Sequence, residues 1–174
     1  MKAYTKRITA YAEALSAREP APGGGSAVCA VFCIGVALIE KSIQFSLPES
    51  PRLKQYLELA QELRYKVQPF IDLDGEIFAR VMRNRGKKRR DYLQECERLI
   101  IDVGRSCWQV FSLAKKIKSG IKKGMISDFD IGLDLIRISL KGCLGNLEAN
   151  KRMFNIDTLY IGTFKDYLKK WRRF

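Results

Sequence analysis

The sequence predicts an all-α fold, an antiparallel bundle of about five to seven helices, and three observations support this prediction. Apolar residues recur at the three- and four-residue spacings of a helical face along most of the chain. No convincing segment shows the alternation of a half-buried strand. Prolines, glycines and polar clusters divide the pattern into segments of helical length. A chain of 174 residues has room for one hydrophobic core, so we expect a single domain over residues 1–174.

Two helices separated by a defined turn are predicted at the start of the chain. Residues 5–18 have one apolar face, which predicts the first helix. Residues 19–25 cannot continue it, because two prolines and three glycines interrupt the helical pattern. Ser26 stands where a capping hydroxyl is expected and opens a second helix to about Phe45. Because that helix is apolar on nearly every face, we expect it at the centre of the bundle or in a subunit interface.

The middle of the chain predicts a helix that proline divides. Ser50 followed by Pro51 is typical of a helix start. Pro69 should kink or interrupt this helix before the pattern resumes to Met82. Residues 84–90 are polar and strongly basic, and we expect them to form a connection.

Three further helices are predicted in the second half. Residues 93–117 form a long helix, and residues 119–124 form a second basic loop. Residues 127–154 form the next helix, because serine and aspartate at its start suit the positive end of a helix. Residues 160–171 have aromatic and aliphatic residues at helical spacing and form a terminal helix.

Composition indicates a cytoplasmic protein without a membrane anchor. The longest apolar run, residues 27–39, is shorter than the roughly 20 residues that span a bilayer, and the N-terminus lacks a signal-peptide pattern. The five cysteines form no CxxC pair and the chain has no histidine, so reduced thiols packed in the core are expected rather than a metal site. A net charge of +13 predicts an anionic partner.

Residues 20–26, with the sequence PAPGGGS, carry a resemblance to a known family. They resemble the PxPGGGS signature of the formiminotetrahydrofolate cyclodeaminase and methenyltetrahydrofolate cyclohydrolase family. In that family the motif joins the first helix to a buried second helix, which matches its position here.

Weaker segments follow in the family's order. Residues 71–78 are similar to an acidic segment that ends in an aromatic residue. Asp128 lies in a serine–aspartate pair, and Asn146 and Asn150 lie on one helix, as in the family's later part. The resemblance covers roughly residues 4–155.

The resemblance implies an α-helical homodimer with a folate site in a cleft to which the glycine-rich turn contributes. It implies no metal and no bound cofactor, with a tetrahydrofolate derivative as the substrate. The implied reactions are addition of water to methenyltetrahydrofolate, or ring closure of formiminotetrahydrofolate with loss of ammonia. Both need proton transfer and stabilisation of a tetrahedral carbon.

The glycine motif has two physical interpretations. Consecutive glycines let the backbone approach a ligand closely, and the N–H groups at the start of the following helix suit an anion or a carbonyl. The same residues can also serve only as a tight turn. The resemblance favours ligand binding by Pro22, Gly23, Gly24, Gly25 and Ser26.

In a chain without histidine, the acid–base group at neutral pH must be a perturbed carboxylate, cysteine, lysine or tyrosine. Asp72, Asp74 and Glu76 are the richest candidates. Residues two apart on a helix point in different directions, so at most one of the two aspartates should face a cleft. The resemblance selects Asp74 for proton transfer. The alternative is that these acids form a solvated face.

Three other polar residues complete the candidate site. Asp128 is a possible catalytic residue, although its position fits helix capping better. Asn146 and Asn150 share a helix face and could bind pterin or amide groups, or they could make polar contacts between helices.

Residues 83–90, 115–123 and 169–173 are basic stretches. With a folate substrate they could attract a polyglutamate tail. With nucleic acid they would contact phosphates, and Trp171 and Phe174 would be available for stacking. Because no nucleic-acid motif is present, nucleic acid is not the expected partner. The competing hypothesis to an enzyme is a non-catalytic protein that binds folate or another polyanion.

Overall fold

The computed structural model describes residues 2–156 and 158–171, and these ranges contain seven α-helices and no strand. The predicted all-α fold is therefore confirmed. The helices are α1 (Ala3–Ser16), α2 (Gly24–Ser46), α3 (Lys54–Val67), α4 (Phe70–Arg83), α5 (Gly86–Ile117), α6 (Ile126–Phe154) and α7 (Tyr160–Trp171). Short 3-10 turns lie at Pro51–Leu53, Lys118–Gly120 and Lys123–Met125.

The centre of the bundle is the close antiparallel pair of α2 and α6. A Cβ atom on Gly35 would lie 2.9 Å from the carbonyl oxygen of Gly132, and the reverse approach would be 2.8 Å. The Ser139 hydroxyl donates to the carbonyl oxygen of Val28 at one end of the pair. Because later residues of α2 face earlier residues of α6, the two helices run in opposite directions.

The apolar composition of α2 matches its central position. Phe32, Val36 and Ile39 have no exposed surface, as expected for a helix that packs on several neighbours. By length and composition alone, α2 would be able to cross a membrane, with a mean hydropathy of 1.9 in its most apolar window. Half of that window is buried in the bundle, so burial accounts for the composition.

A partly buried ion pair fixes α3 against α2. Arg64 Nε donates to Glu40 Oε1 at 2.7 Å, and a second guanidinium nitrogen bonds Oε2 at 3.2 Å. This hydrogen bonding raises the pKa of Arg64. A bidentate arrangement satisfies the carboxylate that α2 buries.

Pro69 interrupts the helix that contains it, as predicted. The backbone stays in the right-handed helical region at Gln68 and Pro69, so α3 and α4 form one kinked helix and not a hairpin. The missing proline N–H and its ring explain the break.

The start of α2 differs from the prediction. The helix begins at Gly24, because the Ala27 N–H already bonds the carbonyl oxygen of Gly23 at 3.0 Å. Ser26 is therefore the third residue of the helix and not its cap. Its hydroxyl pairs with Tyr11 instead.

The predicted basic connection over residues 84–90 is also largely helical. Gly86, with a φ of 56°, reverses the chain within two residues, and α5 begins there. The Arg89 Nε–H then points to the carbonyl oxygens of Val81 and Asn84. This side chain satisfies acceptors at the end of α4, which makes the short connection possible.

The helix α7 runs parallel to α5 and covers its second half. Phe164 fills the space beside Gly104, and Trp108 stacks on Tyr167 with ring centroids 4.2 Å apart. Trp171, only 6% exposed, stacks on Phe111, so it is not available for stacking on a ligand. The other residue predicted for stacking, Phe174, lies outside the described residues.

By contrast, α1 has no buried residue. Tyr4 and Ile8 are 78% and 68% exposed, which leaves much of its apolar face without a partner in the subunit.

Candidate functional site

The start of α2 is built around the carboxylate of Asp74. The Ser26 N–H donates to Asp74 Oδ2 at 3.1 Å. A Cβ atom on residue 25 would lie 2.1 Å from Asp74 Oδ1, a separation that Cβ atoms in real structures essentially never show. Any side chain at position 25 would therefore have to displace this carboxylate.

The turn before α2 also packs closely on α4. The Ala21–Pro22 peptide bond is cis, and Gly23 has an extended backbone before the helix. A Cβ atom on Gly75 would lie 2.8 Å from the Cβ atom of Ala21. The glycine within the acidic segment thus lets the turn rest on the helix that carries Asp74.

Two effects act in opposite directions on the Asp74 carboxyl. Burial raises its pKa, because the charged form loses hydration, and the hydrogen bond from the Ser26 N–H opposes this rise. The positive end of α2 also favours the charged form. A carboxyl with a raised pKa exchanges a proton at neutral pH more readily than an ordinary aspartate, as acid–base catalysis needs.

A cavity of about 300 Å³ opens beside this carboxylate. Most residues of the predicted site meet there: it is lined by Gly23, Gly24, Gly25, Asp74, Asn146 and Asn150. These residues come from three separate segments of the sequence. Their convergence makes this cavity the candidate functional site.

The two asparagines face the start of α2 across the cavity. A Cβ atom on Gly24 would lie 3.6 Å from Asn146 Oδ1, which places that amide against the glycine motif. Both asparagines are partly buried. Neither side chain makes a hydrogen bond within the described part of the chain, so the alternative of a polar contact between helices is not observed there. Their amides are thus free to bind a ligand.

Pro22 and Ser26 lie on the other side of the turn. With the exposed acids Asp72 and Glu76 they line a second, open depression. The acidic segment is thus divided, with Asp74 toward the cavity and its neighbours toward solvent. Ser26 still contributes to the site through its backbone N–H.

Asp128 is not brought to this site within the subunit. Its carboxylate forms an ion pair with Lys41 at 2.6 Å. Since Lys41 follows Ser26 by 15 residues on α2, the helical rise separates the two positions by roughly 22 Å. Asp128 lies in the first turn of α6, whose cap position is Met125, so it does not cap the helix either.

Tyr11 is a site neighbour that the sequence did not indicate. Its hydroxyl lies 2.7 Å from Ser26 Oγ, and Ser26 has no exposed surface. Burial is the main cause of the raised pKa of Tyr11. Since the same serine holds Asp74, this contact joins α1 to the site.

Other cavity residues were also missed as site residues. Phe78, Cys96 and Met153 line it. Phe78 is the aromatic residue that ends the acidic segment, whereas Cys96 and Met153 have no signal in the sequence beyond helical periodicity. Burial raises the pKa of the Cys96 thiol to about 12, so the thiol stays protonated and unreactive at neutral pH. All five cysteines are free, and the described residues contain no cluster that would hold a metal ion.

Replacing Gly25 tests the close approach. We expect Gly25→Ala to lower the free energy of unfolding by about 1–3 kcal/mol, because the methyl group must displace the carboxylate. Gly145→Ala is the control, since a Cβ atom there meets nothing within 4 Å, and it should stabilise α6 by up to about 1 kcal/mol. Urea denaturation measures both, and equal effects of the two variants would contradict the proposed crowding.

The raised pKa of Asp74 gives a pH-dependent stability. The folded protein holds this proton more tightly than the unfolded chain, so its contribution to stability is lost as pH rises through the raised pKa. Asp74→Asn has no such group. We therefore expect the melting temperature of Asp74→Asn, relative to that of the wild type, to rise as the pH increases from 4 to 8. A melting-temperature difference that does not change with pH would contradict the assignment.

Comparison with known proteins indicates the same family as the glycine motif at residues 20–26. The family model described as formiminotransferase-cyclodeaminase matches residues 7–170. The crystal structure of formiminotetrahydrofolate cyclodeaminase from Thermotoga maritima superposes with a TM-score of 0.80 at 20% sequence identity, covering 95% of this chain and 88% of that one. No curated protein sequence matches the chain. The family match over nearly the whole length shows that this chain belongs to the formiminotransferase-cyclodeaminase family.

Proposed function

We propose that this protein is an enzyme of folate one-carbon metabolism, a methenyltetrahydrofolate cyclohydrolase or a formiminotetrahydrofolate cyclodeaminase, with Asp74 as its proton-transfer group. The observation that carries this proposal is the partly buried Asp74 carboxyl, held by the Ser26 N–H at the wall of a cavity. Family membership supports a folate substrate. The free thiols agree with a cytoplasmic location.

The same carboxyl serves either reaction. In the hydrolysis, ionised Asp74 takes a proton from water as the water oxygen bonds the methenyl carbon. It gives this proton to the departing ring nitrogen, while the remaining hydroxyl proton passes to solvent as the formyl group forms. In the ring closure, protonated Asp74 gives its proton to the formimino nitrogen as the side-chain amine nitrogen outside the pterin ring bonds the formimino carbon. The ionised Asp74 then takes the proton of that amine and passes it to the departing nitrogen, which leaves as ammonia. Burial raises the pKa of Asp74, which makes its protonated form easier to reach than that of an exposed aspartate.

The remaining cavity groups would position the substrate. The N–H groups of Gly24 and Gly25 lie in the first turn of α2, where no earlier carbonyl of the helix can accept them. They suit a carbonyl or a developing negative charge. The amides of Asn146 and Asn150 offer both donors and acceptors to a pterin ring.

A basic groove beside the cavity suits a polyglutamate tail. It shares Met153 with the cavity, has a volume of about 890 Å³, and is lined by Arg89, Arg90 and Arg152 among others. Glu97 is the acidic residue of that lining. A chain of carboxylates leaving the cavity would meet guanidinium groups that bind carboxylates well.

Uncovered apolar surface supports the homodimer. Besides α1, the central helices α2 and α6 expose Ile34 and Ile138 by 56% and 54%. Exposed apolar side chains mark an interface where they adjoin on neighbouring helices, and α2 and α6 are neighbours in this bundle. We therefore propose that a second copy covers α1 and the outer faces of α2 and α6.

The first functional test follows the absorbance of methenyltetrahydrofolate with purified protein against a buffer blank. We expect faster decay than the spontaneous hydrolysis. Asp74→Asn should reduce the acceleration by about 100-fold or more, because a general acid–base group usually contributes at least that much to the rate. If the wild type gives no acceleration, the same pair of proteins is tested for ammonia release from formiminotetrahydrofolate.

The competing function, a non-catalytic binder of folate or another polyanion, is favoured by the basic groove. The Asp74→Asn variant separates the two functions. An enzyme loses turnover in the variant and keeps its folate affinity. Folate binding by both proteins, without turnover of either substrate, would contradict the enzyme and establish the binder.

The dimer is tested by light scattering after gel filtration. We expect twice the mass of one chain for the wild type, and one chain mass for Ile34→Glu, because a buried carboxylate opposes association. Leu159→Glu is the matched control, since Leu159 is 91% exposed and precedes α7, outside the three helices of the proposed interface. A monomeric wild type would contradict the dimer.

A further inference from the structure

Two of the three basic stretches meet at a cleft between α5 and α7. Lys115 and Lys116 from the end of α5 approach Lys170 from α7, although the two segments are far apart in sequence. The cleft has a volume of about 500 Å³, in the range of small-molecule sites. Trp108, Phe111 and Ser112 complete its lining, which includes no acidic side chain.

The positive charge of this cleft is not neutralised within the described part of the chain. Lys115, Lys116 and Lys170 form no ion pair there. Several other lysines do form ion pairs with acidic side chains: Lys41, Lys66, Lys118, Lys122, Lys165 and Lys169. Three uncompensated ammonium groups at one cleft favour an anion.

The wall of the cleft is aromatic and firmly held. The ring of Trp108 is partly exposed and lies parallel to Tyr167, within 9°, at a centroid distance of 4.2 Å. The ammonium groups lie at this wall, with Lys170 Nζ 5.7 Å from the Trp108 centroid and Lys115 Nζ 5.8 Å from the Phe111 centroid. Positive charge and aromatic surface are thus side by side.

The hydroxyl of Ser112 adds a polar group between these features. It is partly buried, and no hydrogen bond to it is found among the described residues. It can therefore donate to a ligand oxygen without breaking an internal bond.

We propose that this cleft binds a ligand in which a planar ring is joined to a phosphate, that is, a nucleotide. The ligand ring takes the place of the Lys170 ammonium over Trp108, whose ring is stacked on Tyr167. The phosphate lies between the three lysines, with Ser112 as a further donor. A free mononucleotide and a nucleotide within a single strand share this chemistry.

The site is separate from the folate cavity. Ile100 lines that cavity, and Lys115 lies 15 residues further along α5, a helical rise of roughly 22 Å. Binding here is consequently independent of whether the protein turns over folate.

The test titrates the full chain with adenosine monophosphate, adenosine and inorganic phosphate, using tryptophan fluorescence, because Trp108 is at the wall. We expect the nucleotide to bind at least about tenfold more tightly than either fragment, since it uses the ring and the charge together. Lys115→Gln, Lys116→Gln and Lys170→Gln combined should weaken nucleotide binding by about tenfold or more, because the phosphate loses its partners.

The control removes the same charge elsewhere. Lys87 and Lys88, at the start of α5, and Lys141 are exposed and form no ion pair among the residues that the structure describes. Changing all three to Gln should alter the affinity by about twofold or less through screened long-range charge. Equal losses of nucleotide affinity in the two triple variants would overturn the site, because the net charge of the protein would then account for the binding. Nucleotide affinity no better than that of phosphate alone would also overturn it.

A ten-residue oligoadenylate distinguishes the two sources of the ligand. Affinity equal to that of the mononucleotide supports a free nucleotide as the ligand. Affinity that rises with length and is lost in the cleft variant supports a single strand. Rising affinity that the cleft variant retains overturns the proposal, because the strand then binds elsewhere.

Discussion

The close contact of α2 with α6 is the constraint on which the rest of the structure depends. Gly35 and Gly132 let the two backbones approach until a single added carbon would collide with a carbonyl oxygen. This approach fixes how far the start of α2 lies from the late turns of α6. The glycine motif and the two asparagines can face each other across a small cavity only at that distance. The other helices then pack around this pair.

Much of the fold was predictable, because it depends on periodic burial. The apolar composition of α2 predicted its central position, and Pro69 predicted the break between α3 and α4. Helix starts were less predictable. Ser26 and Asp128 have the chemistry of capping residues, but tertiary contacts with Tyr11 and Lys41 use their side chains instead. A cap preference of about 1 kcal/mol is easily outweighed by such contacts.

The candidate site was predictable only where a motif marked it. The glycines and Asp74 follow from a resemblance, and the structure adds that the Asp74 carboxylate lies directly against Gly25. A resemblance does not guarantee that a residue reaches the site. Asp128 lies in a matching segment, but it is far along the bundle from the cavity. Cys96 and Met153 could not have been found, because their role depends on which helices pack side by side.

Charge is distributed more selectively than the net value of +13 indicates. One basic stretch opens beside the cavity at Asp74 through Arg89 and Arg90, while the other two converge on the cleft at Trp108. This convergence was not predictable from the sequence, because the two stretches lie about 50 residues apart in the chain. The parallel packing of α7 on α5 creates it, by bringing the end of the chain back to the end of the longest helix.

The contact between residue 25 and residue 74 has a consequence for how this protein can change over evolutionary time. The carboxylate occupies the volume that any side chain at position 25 would need. A side chain at position 25 costs stability while Asp74 keeps its place, and it costs less once position 74 carries a shorter side chain. The two positions therefore form an epistatic pair: the glycine is favoured in a lineage that retains the acid, and this preference is relaxed in one that has lost it.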